Sequence, residues 1–432
     1  MLYYSINNPK EKVSLREAVL KSISGNSGLY MPSKIPKLPA AFFKNLHRMS
    51  LKEIAFEVSK SMLGDDVPSS ELKKIIEVAL SFPIPLKKLN ENLFVLELFH
   101  GPTLAFKDVG ARFMAGLFEY FLANENREVI ILVATSGDTG SAIANAFFNK
   151  KGVKVVILYP SGKVSPLQEK QLTTMGGNIT ALEVKGNFDD CQDLVKKAFS
   201  DEKINRKINL TSANSINFGR LLPQTFYYFH AVAQLGKNPK RVVISVPSGN
   251  FGNLTAGLIA KKMGLPVYKF IAATNKNHSV PDFLKSGKFK PGKTVFTISN
   301  AMDVGNPSNF SRMLYIYKGN AQQISYDIKG LWYNDNQTRQ SIGELYKKYS
   351  YQPDPHGAIA YAGLNGFGLT KNQTGIFLET AHPAKFPMEV EKSTGKKVTL
   401  PSSLKKLLLL KKKAIKISKE FSILKKILLE LE

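Results

Sequence analysis

Short β-rich runs alternating with helical stretches from about residue 93 onward predict an α/β fold with open, largely parallel sheets. Two strand–loop–helix units carry that prediction. In the first, residues 129–134 (VIILVA) read as a buried strand, 135–140 (TSGDTG) as a loop and 141 to about 149 as a helix, with 153–159 the next strand. In the second, 242–246 is a strand, 247–253 (PSGNFGN) a loop and 254–263 a helix. Gly264 stands where a C-terminal cap belongs, and 267–273 is a further strand. Both loops join the carboxyl end of a strand to a helix start, which is where open α/β sheets hold their ligands.

The 432 residues are enough for two or three domains. Residues 1–92 read as a mostly helical region, broken by a loop at 26–32. Residues 93–210 form a smaller α/β region and 211–400 a larger one. The stretch 401–432 reads as a basic amphipathic helix, with Ile417, Phe421, Leu424, Leu428 and Leu431 at helical spacing among nine lysines. Docking on the protein's own body is its simpler role, and a membrane-surface role is the alternative.

Lysine and arginine total 60 against 34 acidic residues, a formal charge of +26 that admits nucleic acid, an anionic membrane or acidic small molecules as partners. The lysines are scattered and no RRM, KH or zinc-finger pattern accompanies them. Lys-biased composition is therefore the plainer reading, and nucleic-acid binding stays a minority alternative. The single cysteine, Cys191, excludes an internal disulfide, and no Cys/His cluster or HExxH motif calls for a metal. No signal-peptide order and no apolar run near the ~18–20 residues of a membrane span are present, so a cytoplasmic protein is expected.

Three segments carry chemistry. In PSGNFGN, Gly249 and Gly252 let the backbone approach a ligand, and the helix start supplies free N–H groups and a positive dipole end, which suits a phosphate. It is neither a P-loop nor a GxGxxG turn, and such a turn alone serves structure as readily as binding. TSGDTG offers hydroxyls, glycine N–H groups and another helix start, which suits a carboxylate. The third is residues 99–108 (FHGPTLAFKD), followed by the buried stripe Val109, Phe113, Leu117 and Phe121. Lys107 then lies at a helix N-terminus behind three apolar residues, and both settings favour the neutral amine that makes a Schiff base. The competing reading pairs Lys107 with Asp108 at the surface. A nucleophilic lysine, a phosphate cradle and a carboxylate loop are together the parts that hold pyridoxal 5'-phosphate and an amino acid.

With these residues in view, the chain resembles the threonine synthases of the long bacterial and fungal kind. HGPTLAFKD, TSGDTGSA, residues 214–224 (NSINFGRLLPQ), VPSGNFGN, 301–310 (AMDVGNPSNF) and 379–387 (ETAHPAKFP) match that family in order, over roughly residues 1–400. The wider group is the tryptophan-synthase-β-like, fold type II pyridoxal-phosphate enzymes, which implies two open α/β domains. The resemblance implies that Lys107 carries the cofactor. Gly249, Asn250, Phe251 and Asn253 would bind its phosphate, and Ser248 and Gly252 would shape the loop. Thr380 would meet the pyridine nitrogen, and Ser136, Gly137, Asp138 and Thr139 would receive the substrate carboxylate. Asp138 would lie near the cofactor's phenolic oxygen, where two anionic oxygens require a shared proton or a side chain turned away.

The implied substrate is O-phospho-L-homoserine, converted with water to L-threonine and phosphate. Its own phosphate needs a second basic site, for which Arg220, Asn217 and Lys163 are candidates, with Arg220 first because it binds phosphate bidentately. A threonine dehydratase or cysteine synthase is the nearest alternative. The chain departs from the family at residues 3–7 (YYSIN) and 26–29 (NSGL), where a Ser-Thr strand and an Asp-Gly-Gly-Leu loop are usual.

Overall fold

Three sheets, β1 to β14 in chain order, organise the computed structural model, which describes residues 1–24, 28–123, 125, 128–135 and 137–431. The strands are β1 Tyr3–Ser5, β2 Asn8–Val13, β3 Tyr30–Pro32, β4 Leu86–Lys88, β5 Leu93–Glu97, β6 Val129–Ala134, β7 Val153–Pro160, β8 Ile179–Val184, β9 Asn209–Thr211, β10 Arg241–Pro247, β11 Val267–Thr274, β12 Ile328–Trp332, β13 Gln373–Glu379 and β14 Ile415–Ile417. The larger sheet runs β12-β11-β10-β13-β5-β4, parallel except for the antiparallel edge strand β4. The smaller, β14-β8-β7-β6-β9, is parallel throughout. Every residue of β6 and of β13 is buried, as expected of parallel strands covered by helices on both faces.

The paired strand–loop–helix units form as the sequence predicts, with each helix beginning two or three residues early. Asp138–Phe147 starts within TSGDTG because the Thr135 hydroxyl accepts the N–H groups of Gly137 (3.0 Å) and Gly140 (2.9 Å), folding the loop into the first turn. The Gly252–Lys262 helix ends at Met263, and Gly264 follows it with φ 111°.

Two expectations are corrected, and the mostly helical N-terminal region carries a small sheet as well. The N-terminal region holds helices at Leu15–Lys21, Ala40–Asn45, Leu51–Leu63 and Ser69–Ala79, but also the antiparallel sheet β2-β1-β3. Tyr3 and Ser5 are the buried positions of β1, while Asn26 and Ser27 of the expected loop lie outside the described residues. Residues 93–97 do not group with the smaller sheet: β5 pairs in register with β13, Leu93 opposite Gly375 and Glu97 opposite Glu379. Nothing local in an apolar five-residue strand says which sheet it will join.

The C-terminal stretch is not one helix. It is a helix at Ser402–Leu408, the strand β14 and a helix at Phe421–Glu430. The free edge of β8 takes Ile415 opposite Leu182 and Ile417 opposite Val184, so the helical spacing of Ile417 is coincidental. Leu424 and Leu428 bury against Ile130, Leu132, Val156 and Leu194, so the apolar face covers the protein's own body. Lysines tie the same segment down: Lys412 meets Glu169 (2.6 Å) and Glu183 (2.7 Å), and Lys425 meets Asp201 (2.6 Å). Among the described residues, no helix is long and apolar enough to cross a membrane.

Emptying this core should be felt. Leu424→Ala is expected to lower stability by about 2–5 kcal/mol, because a fully buried leucine leaves a cavity. Denaturant unfolding checks it, and a loss below ~1 kcal/mol would mean the C-terminal segment is not docked.

Candidate active site

The chain leaves β5, makes a compact turn and enters the Lys107–Leu122 helix, whose first residue is Lys107. Residues beyond β13 hold that turn. Glu379 accepts the N–H of Leu98 (3.0 Å), Thr380 that of Phe106 (2.9 Å), and Leu104 that of His382 (3.0 Å), while Ala105 bridges Ala381. Leu104 takes a left-handed φ of 58° inside this knot. Tyr227 adds a hydroxyl bond to the Phe106 carbonyl at 2.6 Å.

Asp108 does not pair with Lys107 at the surface. It is buried and turns back to accept the N–H (2.9 Å) and hydroxyl (2.6 Å) of Thr103. Burial pushes the Lys107 amine down to about 8, with Lys385 and Arg220 repelling its charge and Asp138 partly offsetting the effect.

Across the cavity, residues 247–253 follow β10. Phe251 sits at φ 59°, and no side chain caps the Gly252–Lys262 helix. Its first amides are therefore available to an anion. Gly249 packs so closely that a Cβ would lie 2.6 Å from the Met302 Cα, so no other residue fits. Ser248 donates to the Val246 carbonyl (2.9 Å) and shapes the turn. The Asn253 carbonyl oxygen accepts from Tyr228 (2.8 Å), while its Nδ2 is buried with no partner. The Asn250 side chain is a strut, donating to Ser215 (2.8 Å) and accepting from the Ser308 N–H (2.6 Å).

Asp138, at the start of its helix, resolves differently from either expectation. It neither shares a proton nor turns away: Lys385 lies 2.6 Å from its carboxylate and Gln168 donates at 3.0 Å. Burial alone would raise the carboxyl, but Lys385 and Lys107 together hold it well below the usual range. Lys385 is wholly buried and also donates to the Thr103 carbonyl (2.9 Å). Gly137 commits its N–H to Thr135, Thr139 lines the cavity, and Ser136 lies outside the described residues.

Of the three candidates for a second anion site, the structure brings one to the cavity. Arg220 is buried there, with Nη1 on the Ala213 carbonyl (2.7 Å), Nε without a partner and no carboxylate against it among the described residues. Burial lowers its guanidinium to about 10. Asn217 is spent on structure: it caps the next turn through Gly219 N–H (2.8 Å) and donates to the Val19 (2.8 Å) and Ser212 (3.2 Å) carbonyls. Lys163 is exposed in the turn after β7, away from the cavity. The cavity, about 420 Å³, thus gathers Lys107, Arg220, Thr139, Thr380 and residues 247–253 from the ends of both parallel sheets.

Family models match the whole length: pyridoxal-phosphate dependent enzyme over residues 80–376, threonine synthase N terminus over 2–80 and threonine synthase, C-terminal, over 358–428. The chain belongs to the threonine synthase family. The threonine synthases of Haemophilus influenzae and Escherichia coli K12 are 46% and 45% identical to it, each over 94% of both chains. The crystal structure of threonine synthase from Escherichia coli superposes with a TM-score of 0.94 at 42% identity, covering all of both chains. That of PLP-bound threonine synthase from Brucella melitensis does so at 0.93 and 34%, covering 99% and 98%. The fold is the fold type II pyridoxal-phosphate architecture.

As a threonine synthase, the protein uses pyridoxal phosphate, and its residues fit that cofactor. A buried, partly neutral lysine faces an uncapped helix start, a glycine that tolerates no side chain and an orphaned amide nitrogen, with no carboxylate within residues 247–253. Sequence reasoning missed Lys385, Ser215 and His356. Lys385 stands inside the family block ETAHPAKFP, but only the folded chain shows that it reaches Asp138. His356 follows an Asp-Pro helix start, which reads locally as capping and nothing more.

Two outcomes follow from the buried charges. In protein freed of cofactor, the rate of Schiff-base formation with added pyridoxal phosphate should rise with pH through a midpoint at about 8, because only the neutral amine attacks. A stopped-flow absorbance series reads it, and a midpoint near an ordinary lysine's would contradict burial of Lys107. Lys385→Met should cost about 3–5 kcal/mol in denaturant unfolding by leaving Asp138 buried and unpaired, and adding Asp138→Asn should recover much of that loss.

Proposed function

We propose that this threonine synthase converts O-phospho-L-homoserine and water into L-threonine and phosphate, with Lys107 as both cofactor anchor and proton carrier. The observation that carries the reading is a second buried cation, Arg220, with no carboxylate in salt-bridge contact among the described residues and sharing the cavity with Lys107 and the glycine loop. The substrate is then an amino acid with a phosphate of its own, since the loop at 247–253 is engaged by the cofactor's phosphate.

Pyridoxal phosphate, when bound, supplies an electron-withdrawing ring that acidifies the hydrogens on the substrate's α- and β-carbons. The amides of Gly249 to Asn253 and the helix start hold its phosphate, while Ser248 and Gly252 keep the loop's shape. Thr380 presents a neutral hydroxyl to the ring nitrogen. Asp138 can lie near the ring hydroxyl without a second unbalanced charge, because Lys385 neutralises it. Thr139 and the helix start behind it receive the substrate carboxylate, and Ser136 belongs to the same loop.

Arg220 holds the leaving phosphate through Nε and its free Nη hydrogens. That grip stabilises the dianion as it departs from the γ-carbon. The Lys107 amine, neutral in a usable fraction near physiological pH, takes the α-proton and then a β-proton. One proton is returned to the γ-carbon, water adds its hydroxyl at the β-carbon, and the remaining two protons go to the α-carbon and to the departed phosphate.

Incubation with O-phospho-L-homoserine should release phosphate and threonine in equal amounts. Deamination of serine or threonine without phosphate release would overturn the assignment. Lys107→Ala should abolish turnover. Arg220→Ala should raise KM by ~10- to 100-fold, the worth of a charged hydrogen-bond pair, while cofactor content stays unchanged. Loss of cofactor in that variant would remove Arg220 from the substrate site.

A further inference from the structure

One cavity-lining group has no part in the reaction described above. Asp354 is the N-cap of the Pro355–Phe367 helix, and its Oδ1 accepts the N–H of His356 at 2.6 Å. The same oxygen makes a short contact with His356 Nδ1. Its other oxygen accepts the N–H of Ala381 at 3.1 Å, the residue next to Thr380. The carboxylate therefore welds the imidazole to the wall that Thr380 belongs to. Phe386 packs against the ring, with centroids 5.1 Å apart, and the histidine is only 2% exposed.

Because Nδ1 faces a carboxylate, it carries hydrogen, and Nε2 is the open nitrogen. Nε2 is buried without a partner, and His356 lines the cavity with Lys107 and Thr380. Burying such a nitrogen is costly unless something in the cavity satisfies it.

The charges around it narrow what that partner is. Asp354 is wholly buried, and His356 is its one ionic partner among the described residues. Glu379, beside it on β13, is pushed well above the usual carboxyl range by burial and by Asp354, so it brings no second negative charge. Asp303, which lines the same cavity, is raised to about 7 by burial. The Asp354 carboxylate behind the ring can balance a proton shared between Nε2 and an atom that it meets in the cavity. A pyridine nitrogen is such an atom, and the Thr380 hydroxyl alone cannot keep it protonated.

We propose that the Asp354–His356 dyad is a second contact to the cofactor's pyridine nitrogen, holding one proton between Nε2 and that nitrogen. The proposal rests on the reading that pyridoxal phosphate lies in this cavity with its nitrogen toward Thr380. The dyad makes the ring a stronger electron acceptor than a neutral hydroxyl would. No heavy-atom bond is broken: one proton, taken up from water as the cofactor binds, is shared between two nitrogens, with Asp354 balancing its charge.

Nitrogen NMR of the holoenzyme, loaded with cofactor labelled at the ring nitrogen, tests it. The wild-type signal should fall in the protonated range. In His356→Gln and in Asp354→Asn it should move to the unprotonated range with cofactor still bound at Lys107, and kcat should fall ~10-fold or more with little change in KM. An unprotonated nitrogen in the wild-type protein, or a signal unchanged in His356→Gln, would overturn the proposal. The wild-type spectrum decides even if a variant fails to fold. Borohydride reduction of the holoenzyme separates the two readings. If Lys107 traps no cofactor, the proposed function fails as well. If Lys107 is labelled but the nitrogen is unprotonated, only the dyad's role is lost.

Discussion

The turn before Lys107 is laced to the strand end after β13 by the N–H groups of Leu98, Phe106 and His382 and by the bridge from Ala105 to Ala381. On that knot the position of nearly everything else in the site depends. It sets the buried amine beside Thr380, and it places Lys385 four residues beyond Ala381, within reach of Asp138 at the helix start that follows β6 of the other sheet. Asp108, folded back on Thr103, stiffens the turn from within, and the left-handed Leu104 is held there only because both sides of it are bonded.

The charge distribution follows from that geometry. Lys107, Lys385 and Arg220 are all buried about the site, a cluster of cations that Asp138 and the Asp354 carboxylate beside His356 offset only in part. In a medium of low dielectric such an excess is costly until anions arrive. A cofactor phosphate, a substrate carboxylate and a substrate phosphate are the anions this reaction brings. Burial, with Lys385 and Arg220 adding their repulsion, keeps the Lys107 amine partly neutral, so one arrangement both attracts the reactants and prepares the proposed base.

The strongly basic composition has a partly structural explanation. Lysines of the C-terminal segment stitch it to acidic groups of the smaller sheet. Lys412 joins Glu169, and Glu169 belongs to the Pro166–Thr173 helix from which Gln168 reaches Asp138. A segment that looked like an isolated amphipathic helix is therefore within a few contacts of the site. Its strand β14 covers an edge of a parallel sheet that would otherwise be open to solvent.

What could be read from the sequence alone was what depends on neighbours along the chain. VIILVA declares a buried strand through its unbroken apolar run. PSGNFGN and Lys107, each ambiguous alone, declare a cofactor site only when taken together with TSGDTG. What depends on residues distant in the chain could not be read. The pairing of β5 with β13, the burial of Lys385 against Asp138, the commitment of Asn217 to capping and the dyad at His356 each require two segments to meet. Asn217 and Arg220 stand three positions apart and are both candidates in the sequence, with Arg220 first, yet only Arg220 reaches the cavity. Hydrogen bonds to Val19 and Ser212 use up Asn217, whereas burial leaves Arg220 a nitrogen without a partner. Local patterning chose the elements and the anchor lysine. Long-range packing chose which polar groups remained free to act, because a buried side chain is available to a ligand only if no other part of the fold has already satisfied it.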